Sequence, residues 1–346
     1  MLPSLYSGIS GLKANQRKLD VVGNNIANSS TTAFKSQRAR FEDMISQSVS
    51  QASQATNTTG GVNGKQVGLG VQLAGIDTTT STGSMQPTSR NLDFAIDGTG
   101  YFVVGTGVVP GDSTSTTENV IGIDPTTHTT TNYGVTPQFT RDGSFTRDTQ
   151  GNLLTSDGLR VYGYSNANVT ITYSTDVKTA HTVDITNPNA QNGADMDPGN
   201  NAALVPLVIP DSITINGSTP TKIQSFSIGK DGVITAVLAN GASAALGQLA
   251  MTSFNNEAGL EKDGKNLYSS SANSGEPIVR SIAGAATDED NSGGYGDALQ
   301  GVLEMSNVDL AEQFTDMIIA SRAFQANGKI ISTGDEILQD LVNLKR

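Results

Sequence analysis

The chain contains no cysteine and no tryptophan, and it has only two histidines. The absence of cysteine excludes disulfides, thiolate catalysis and cysteine metal ligands. Charged residues make up 16% of the 346 residues and hydrophobic residues 36%, and both shares are low for a globular enzyme. Serine, threonine, asparagine and glycine fill the difference, so we expect a fold rich in strands and turns, with thin cores.

Long apolar runs and excess positive charge are also missing. No run approaches the roughly 20 apolar residues of a membrane-spanning helix, so no membrane insertion is expected. The N-terminus lacks the basic, apolar and cleavage-site regions of a secretory signal, so any export is expected to proceed without a cleaved signal peptide. The net charge of -12 argues against nucleic acid as a partner.

Residues that could support catalysis or metal binding are few. His128 and His181 each lie in a threonine-rich loop without nearby carboxylates, so neither a catalytic triad nor a zinc site is expected. The stretch 64–66 lacks the serine or threonine of a phosphate loop. The acidic run 288–291 could bind calcium, although a solvated loop is favoured. We therefore predict no catalytic, cofactor-binding or metal site, and no enzyme activity.

Both ends of the chain have the apolar periodicity of helices. The segment 306–346 repeats apolar residues at alternating steps of four and three, and Asn307 or Asp309 can cap it, with Glu312 at capping-box spacing. The first 28 residues follow the same step. The helices could close an ordinary domain as an intramolecular coiled pair, or pack only between subunits. The predicted assembly residues are Leu5, Ile9, Leu12, Leu19, Ile26, Leu310, Phe314, Met317, Phe324, Ile331 and Leu338.

Between the helices, the pattern is that of a β protein. Residues 33–45 suit a short second helix or an extended arm, and alternating apolar residues begin near Val67. Short strands divided by Asp-Gly and Asn-Gly turns predict an antiparallel meander, since two-residue turns join antiparallel neighbours. The expected fold is mainly β with terminal α-helices that pair as a coiled coil.

Changes in composition divide the chain into four predicted parts. These are a discontinuous helical assembly domain (1–28 plus 306–346), a linking arm (29–66), a discontinuous central antiparallel β domain (67–164 plus 222–305, with an inserted loop at 105–137) and a smaller inserted outer β domain (165–221).

Several stretches resemble bacterial flagellar rod and hook proteins. They are Met1–Leu12, Leu19–Asn28 and Phe34-Lys35, then Leu92–Val104 and Phe139–Phe145, then Leu303–Leu310, Ala320–Asn327 and Leu341–Arg346. The second half, at 226–234 and 246–268, resembles the hook protein, in the compact form of Gram-positive and related bacteria. The inserted domain at 165–221 also favours the hook over the distal rod.

The resemblance implies a structural subunit of the flagellar hook, a helical tube that acts as a flexible universal joint and transmits motor torque. The terminal helices would pair into the inner tube, and the β domains would stack outside. Implied partners are further copies of the chain, the distal rod, hook cap and hook-filament junction proteins, and the type III export apparatus that carries the subunit outside the cell. Two alternatives stay open, which are a distal rod protein and a secreted oligomeric β-rich adhesin or binding module.

Overall fold

A computed structural model describes residues 2–55, 57, 60–107, 120–124, 127–133, 135–166, 169–174, 179–186, 203–280 and 296–344. The chain forms two compact units. Met1–Ser81 with Ser306–Arg346 is called the terminal unit here, and Thr82–Met305 is called the central unit. The finer four-part division of the chain stays a prediction.

The terminal unit contains the two predicted helices, α1 (Leu2–Ala27) and α2 (Leu310–Asn343). Asp309 caps α2, since its Oδ1 accepts from the amide of Ala311 at 2.8 Å and from that of Glu312 at 3.3 Å. Helix α1 ends within the asparagine-rich run, where Asn28 Nδ2 donates to the carbonyl of Asn24 at 2.9 Å. Both helix predictions are confirmed.

A two-stranded ribbon occupies much of the segment that was predicted to be a linking arm. The ribbon has two consecutive stretches of antiparallel pairing. In the first, β1 (Gln37–Asp43) pairs with β4 (Val71–Thr78), and in the second, β2 (Ser46–Ser50) pairs with β3 (Lys65–Gly68). Arg40 Nε lies 2.7 Å from Asp77 Oδ2 across the first pair. Of the two predicted states for residues 33–45, the extended one is therefore observed.

The central unit is built from short strands. Apart from a 3₁₀ turn at Glu257–Gly259, its described residues contain no helix. The strands are β5 (Met85–Pro87), β6 (Phe94–Asp97), β7 (Tyr101–Thr106), β8 (Val120–Ile123), β9 (Thr130–Tyr133), β10 (Thr136–Thr140), β11 (Thr146–Arg147), β12 (Leu153–Leu154), β13 (Arg160–Ser165), β14 (Val169–Thr172), β15 (Thr182–Ile185), β16 (Ala203–Pro206), β17 (Ser212–Ile215), β18 (Thr221–Ile228), β19 (Val233–Leu238), β20 (Ser243–Leu249), β21 (Met251–Ser253), β22 (Glu261–Gly264), β23 (Leu267–Ser269), β24 (Ile278–Arg280), β25 (Asp297–Gln300) and β26 (Val302–Glu304).

Strand pairing confirms the antiparallel prediction. Among the described strands, only β15 and β17 pair in parallel. The hairpins β18–β19 and β19–β20 turn at Gly232 and Gly241, whose φ angles of 75° and 85° suit glycine. Strand β16 pairs with both β13 and β8, so the sheet continues from the predicted central domain into both predicted insertions.

Strand β7 separates two apolar cores because its side chains alternate between its faces. Phe102 packs against Phe145 in one core, with ring centroids 5.3 Å apart. Tyr101 packs against Phe254 in the other, at 5.7 Å. Burial of Tyr101 raises the pKa of its hydroxyl well above the usual range.

A buried ion pair joins two distant parts of the central unit. Arg141 and Glu304 have side chains that are each 1% exposed, and Arg141 Nε lies 2.9 Å from Glu304 Oε2. The same guanidinium donates to the carbonyls of Gly100 and Gly98 at 3.0 and 2.7 Å. Glu304 Oε1 accepts from the amide of Gly83 at 2.9 Å. Both charges are therefore compensated away from water.

Candidate assembly interface

Helices α1 and α2 pack antiparallel within the terminal unit. Lys18 Nζ lies 3.1 Å from Asp316 Oδ1 in the first part of α2. Close to the other end of α2, a Cβ added at Gly334 would lie 2.7 Å from Leu5 Cδ2. Residue numbers thus rise along α1 as they fall along α2. The predicted pairing of the terminal helices is confirmed, and the Lys18–Asp316 pair joins the opposite charges that the two helices carry.

Small residues allow the two helices to approach closely. A Cβ added at Gly11 would lie 2.8 Å from Asn327 Nδ2, and one at Gly8 would lie 3.4 Å from Ile331 Cγ1. Ala320 is buried in the same way on α2. A larger side chain at Gly11 would therefore force the side chain of Asn327 to move.

Asn25 links three elements of the terminal unit. Its side chain is fully buried, and its Nδ2 donates to the Gln37 carbonyl at 2.7 Å and to Gln313 Oε1 at 3.0 Å. Its Oδ1 accepts from the Gln37 amide at 3.0 Å. The side-chain amide of Asn25 thus pairs with the backbone groups of Gln37 at the start of β1 and holds α1 against α2. Its own polar atoms are hydrogen-bonded, as those of buried side chains usually are.

Most of the predicted assembly residues lie beside the contact of this helix pair, whereas Leu5 and Ile331 take part in it, next to Gly334 and Gly8. Seven are half-buried, and four are exposed. The half-buried residues are Leu5, Leu12, Leu19, Ile26, Met317, Ile331 and Leu338, and the exposed ones are Ile9, Leu310, Phe314 and Phe324. The predicted role of these residues in assembly remains a prediction.

The centre of the contact on α2 was missed by the apolar pattern. It is formed by Gln313, Ala320, Asn327 and Gly334, which recur every seven residues and are small or polar. A search for apolar periodicity alone passes over such residues. Their seven-residue spacing, read together with Gly8 and Gly11 on α1, is the signal that could have found them.

Other parts of the terminal unit also expose apolar side chains. Every residue of β2 and β3 is exposed, including Val49 and Val67. A two-stranded ribbon with both faces in water is at best marginally stable. Several large apolar residues of α2 are exposed as well, among them Ile319 and Ile330. These surfaces make the terminal unit the candidate site of assembly.

Residues considered for chemistry do not come together. Within the described parts of the chain, no group of three or more histidine, cysteine, aspartate or glutamate side chains could hold a metal ion. The acidic run 288–291 lies outside the described residues. None of the described helices is long and apolar enough to span a membrane.

His181 contacts only neighbouring parts of the central unit, and its titration is expected to lower the stability of that unit in acid. Its Nδ1 accepts from the Ser174 amide at 2.9 Å, and its ring packs edge-on against Tyr173. Burial lowers the pKa of this imidazole below 6.5, an effect that nearby Asp148 partly opposes. The unfolded chain therefore takes up the proton first as the pH falls. The stability that neutral His181 provides is complete above pH 6.5 and is lost as the pH falls from there towards the lowered pKa.

We expect the melting temperature of the full chain to fall between pH 7 and pH 5 more steeply than that of a His181→Asn variant. Asparagine can still accept from the Ser174 amide but cannot titrate, so it removes only the proton linkage. The slope due to His181 is at most about 1.4 kcal/mol per pH unit. Equal pH dependence in the two proteins would show that His181 carries no linkage.

Three family models match the chain. They are described as "Flagella basal body rod protein" at residues 5–35, "Flagellar hook protein FlgE/F/G D1 domain" at 129–236 and "Flagellar basal body rod FlgEFG protein C-terminal" at 299–344. The flagellar basal-body rod protein FlgG of Bacillus subtilis is 40% identical over 346 residues, covering 100% of both chains. The flagellar hook protein FlgE of Borreliella burgdorferi is 32% identical over 450 residues, again covering 100% of both.

A solved structure, the Helicobacter pylori flagellar hook protein FlgE2, aligns with 64% of this chain and 100% of its own. Its identity of 11% and TM-score of 0.39 are too low to support an argument. The full-length matches are sufficient, and the chain belongs to the family of flagellar hook and rod proteins. It is thus related to structural parts of the flagellar basal body and hook.

Proposed function

We propose that this chain is the subunit of the flagellar hook, which polymerises into a helical tube through its two terminal helices and transmits motor torque as a flexible joint. The observation that carries the proposal is the exposed apolar surface of the terminal unit. Helix α2 has 34 residues and is about 50 Å long. Pairing with α1 covers one face of it and leaves large apolar side chains on others in water, which favours association with further copies.

Several predicted assembly residues fit this role because the intramolecular pairing of the helices leaves them in water. Phe314, Phe324 and Ile9 are exposed in the single chain, so a neighbouring copy would bury them. A contact between unlike surfaces that does not close into a ring gives an open helical filament. No catalytic role is proposed for the chain.

The further partners follow from the proposed position in the hook. We propose that the tube is continuous with the distal rod at one end, and that it meets the hook cap and hook-filament junction proteins at the other. Export through the flagellar type III apparatus to the outside of the cell completes the proposal. The family assignment supports these partners.

A second candidate is the distal rod. The Bacillus subtilis relative named as a rod protein matches this chain at 40% over its whole length. Deletion of the gene in the bacterium that carries it distinguishes the two positions. If the chain builds the hook, basal bodies purified from the deletion strain will retain a complete rod and lack a hook. A rod that is missing its distal part would instead assign the chain to the rod.

Full-length protein, concentrated in high salt, is expected to form hollow tubes under negative-stain electron microscopy, because salt strengthens apolar burial. Removal of residues 1–28 and 306–346 should leave a folded central unit that forms no tubes. Discrete closed particles at every concentration would support an oligomeric binding module instead. Tubes from the truncated chain would show that the helices do not carry assembly.

Two single substitutions provide a milder version of this test. Phe324→Asn changes an exposed predicted assembly residue, whereas Gln325→Asn changes an exposed polar residue on the same helix. Only the first is expected to raise the protein concentration at which tubes appear. Equal tube formation by both variants would remove Phe324 from the proposed interface.

A further inference from the structure

Asparagine is followed by glycine at five places in the sequence. They are Asn63-Gly64, Asn192-Gly193, Asn216-Gly217, Asn240-Gly241 and Asn327-Gly328. In such a pair, the backbone amide nitrogen of glycine can attack the side-chain carbonyl carbon of asparagine, Cγ, and close a five-membered ring. Glycine favours this ring closure because it has no Cβ to obstruct the attack and its backbone is adaptable. The second pair lies outside the described residues, so the structure allows four pairs to be compared.

Ring closure requires several groups to move. The glycine amide must lose its proton and face Cγ, and the side chain and backbone of asparagine must rotate towards it. A hydrogen bond from the glycine amide, or to the asparagine side chain, therefore has to break before the reaction. Pairs of identical chemistry should thus react at different rates, according to how firmly the fold holds each of them.

Two of the pairs are held in turns of the central unit. The amide of Gly217 donates to Asp184 Oδ1 at 3.2 Å. The amide of Gly241 donates to the carbonyl of Leu238 at 2.9 Å. Oδ1 of Asn240 also accepts, at 3.0 Å, from the amide two residues further along the chain. Ring closure at either turn would require these hydrogen bonds to break.

The pair Asn327-Gly328 is held in the interior of a helix. It lies within α2 (Leu310–Asn343), where each amide donates to the carbonyl four residues earlier. The side chain of Asn327 also packs against α1, since a Cβ added at Gly11 would lie 2.8 Å from its Nδ2. Ring closure there would require α2 to open locally.

The pair Asn63-Gly64 is held by none of these means. Both residues are exposed, and they lie in the ribbon between Val62 and Lys65, the first residue of β3. The amide and carbonyl of Val62 pair with Ser53 at 3.0 and 2.9 Å. Within the described parts of the chain, neither the side chain of Asn63 nor the amide of Gly64 makes a hydrogen bond. Ring closure at this pair therefore requires no hydrogen bond to break.

We propose that Asn63 is a site of spontaneous deamidation in the folded protein, with water as the co-reactant. The amide nitrogen of Gly64 gives a proton to the solvent and forms a bond to Cγ of Asn63. The bond from Cγ to Nδ2 breaks, and the leaving nitrogen takes up a proton and departs as ammonia. Water then opens the cyclic imide at one of its two carbonyls. The products are aspartate and isoaspartate, in which the main chain runs through the former side chain.

Either product changes the ribbon. Both carry a negative charge that Asn63 lacks, and isoaspartate adds a carbon atom to the main chain between Val62 and Lys65. The bridge of Val62 with Ser53 and the pairing of β2 with β3 then cannot both keep their present register, because the spacing between them is altered. The modification would thus loosen a ribbon that has both faces in water.

Incubation of full-length protein at neutral pH in heavy-oxygen water tests the proposal, because opening of the imide adds an oxygen atom from the solvent. Peptide mapping by mass spectrometry measures this label at each asparagine. We expect the label to enter Asn63 at least about fivefold faster than Asn216, Asn240 or Asn327, since a net hydrogen bond must break at each of those. In denaturant the four rates should approach one another. Labelling of Asn63 no faster than that of the other three in folded protein would overturn the proposal.

Gly64→Ala is the matched control for the route of the reaction. A Cβ at Gly64 would lie 3.5 Å from Ala52 N and Ser50 O, which is ordinary contact, so alanine fits the ribbon. Its methyl group obstructs ring closure, so the variant should label Asn63 severalfold more slowly and Asn240 at an unchanged rate. An unchanged rate at Asn63 would contradict attack by the amide of residue 64.

The inference does not depend on the proposed function, because the reaction takes place within a single chain. Tubes from wild-type protein together with slow labelling of Asn63 would overturn the deamidation site and leave the polymer function standing. Fast labelling of Asn63 in protein that forms no tubes would overturn the polymer function alone.

Discussion

Replacing Glu304 with alanine is expected to lower the free energy of unfolding of the central unit by about 3–5 kcal/mol. The substitution leaves the Arg141 guanidinium, 1% exposed, without its counter-charge in a site that water does not reach. It also removes the acceptor of the Gly83 amide. The carbonyls of Gly98 and Gly100 still accept from Arg141, but they carry no charge to compensate it.

Two comparisons isolate the cause of that loss. An Arg141→Met/Glu304→Met double variant should be less destabilised than Glu304→Ala, since it leaves no buried charge unpaired. The exposed pair of Lys230 and Asp297, with side chains 76% and 57% exposed, provides the control. Lys230→Ala should cost no more than about 1 kcal/mol. Denaturant unfolding of full-length protein measures all three, and equal losses for Glu304→Ala and Lys230→Ala would contradict the burial argument.

The helices were predictable because their determinants are local. Successive apolar residues of α2 lie three or four positions apart, and the capping residue Asp309 directly precedes the helix, which begins at Leu310. The Asp-Gly and Asn-Gly turns are local in the same sense, and Gly232 and Gly241 occupy them with positive φ. Such features can be predicted from the sequence because each depends only on neighbouring residues in the chain.

Contacts between distant segments could not be predicted in this way. The pairing of β8 with β16 and the ion pair of Arg141 with Glu304 join residues that no local pattern associates. Charged residues are almost always exposed, so a sequence pattern would place Arg141 on the surface. The ribbon at β1 and β4 is a similar case, since its cross-strand charges lie far apart in the chain.

The candidate interface shows a different limit. An apolar pattern identifies side chains that must leave water, but close helix packing also uses residues with little side chain. Gly11 and Gly334 lie at the contact because they are small, and Asn25 lies there because it satisfies backbone groups. The apolar series therefore predicted both helices correctly but missed the small and polar residues through which α2 contacts α1.

Gly163→Ala is expected to destabilise the central unit by at least about 2–3 kcal/mol, because the added methyl group has no space. Gly163 lies in β13 opposite Leu249 of β20 and Val205 of β16. Its Cβ would overlap the carbonyl oxygen of Gln248 and lie 2.8 Å from Leu207 Cδ1. A backbone carbonyl cannot rotate away as a side chain can, so β13 and β20 must separate.

Gly158→Ala separates this overlap from the conformational preference of glycine. Gly158 has a φ of 82°, and a Cβ there would meet no atom within 4 Å. Its replacement should therefore cost only the strain of a left-handed backbone, about 1–2 kcal/mol. Thermal unfolding of full-length protein compares the two variants. A smaller loss for Gly163→Ala than for Gly158→Ala would mean that β13 can shift without breaking its pairing, and the close approach of its neighbouring strands would then not depend on glycine.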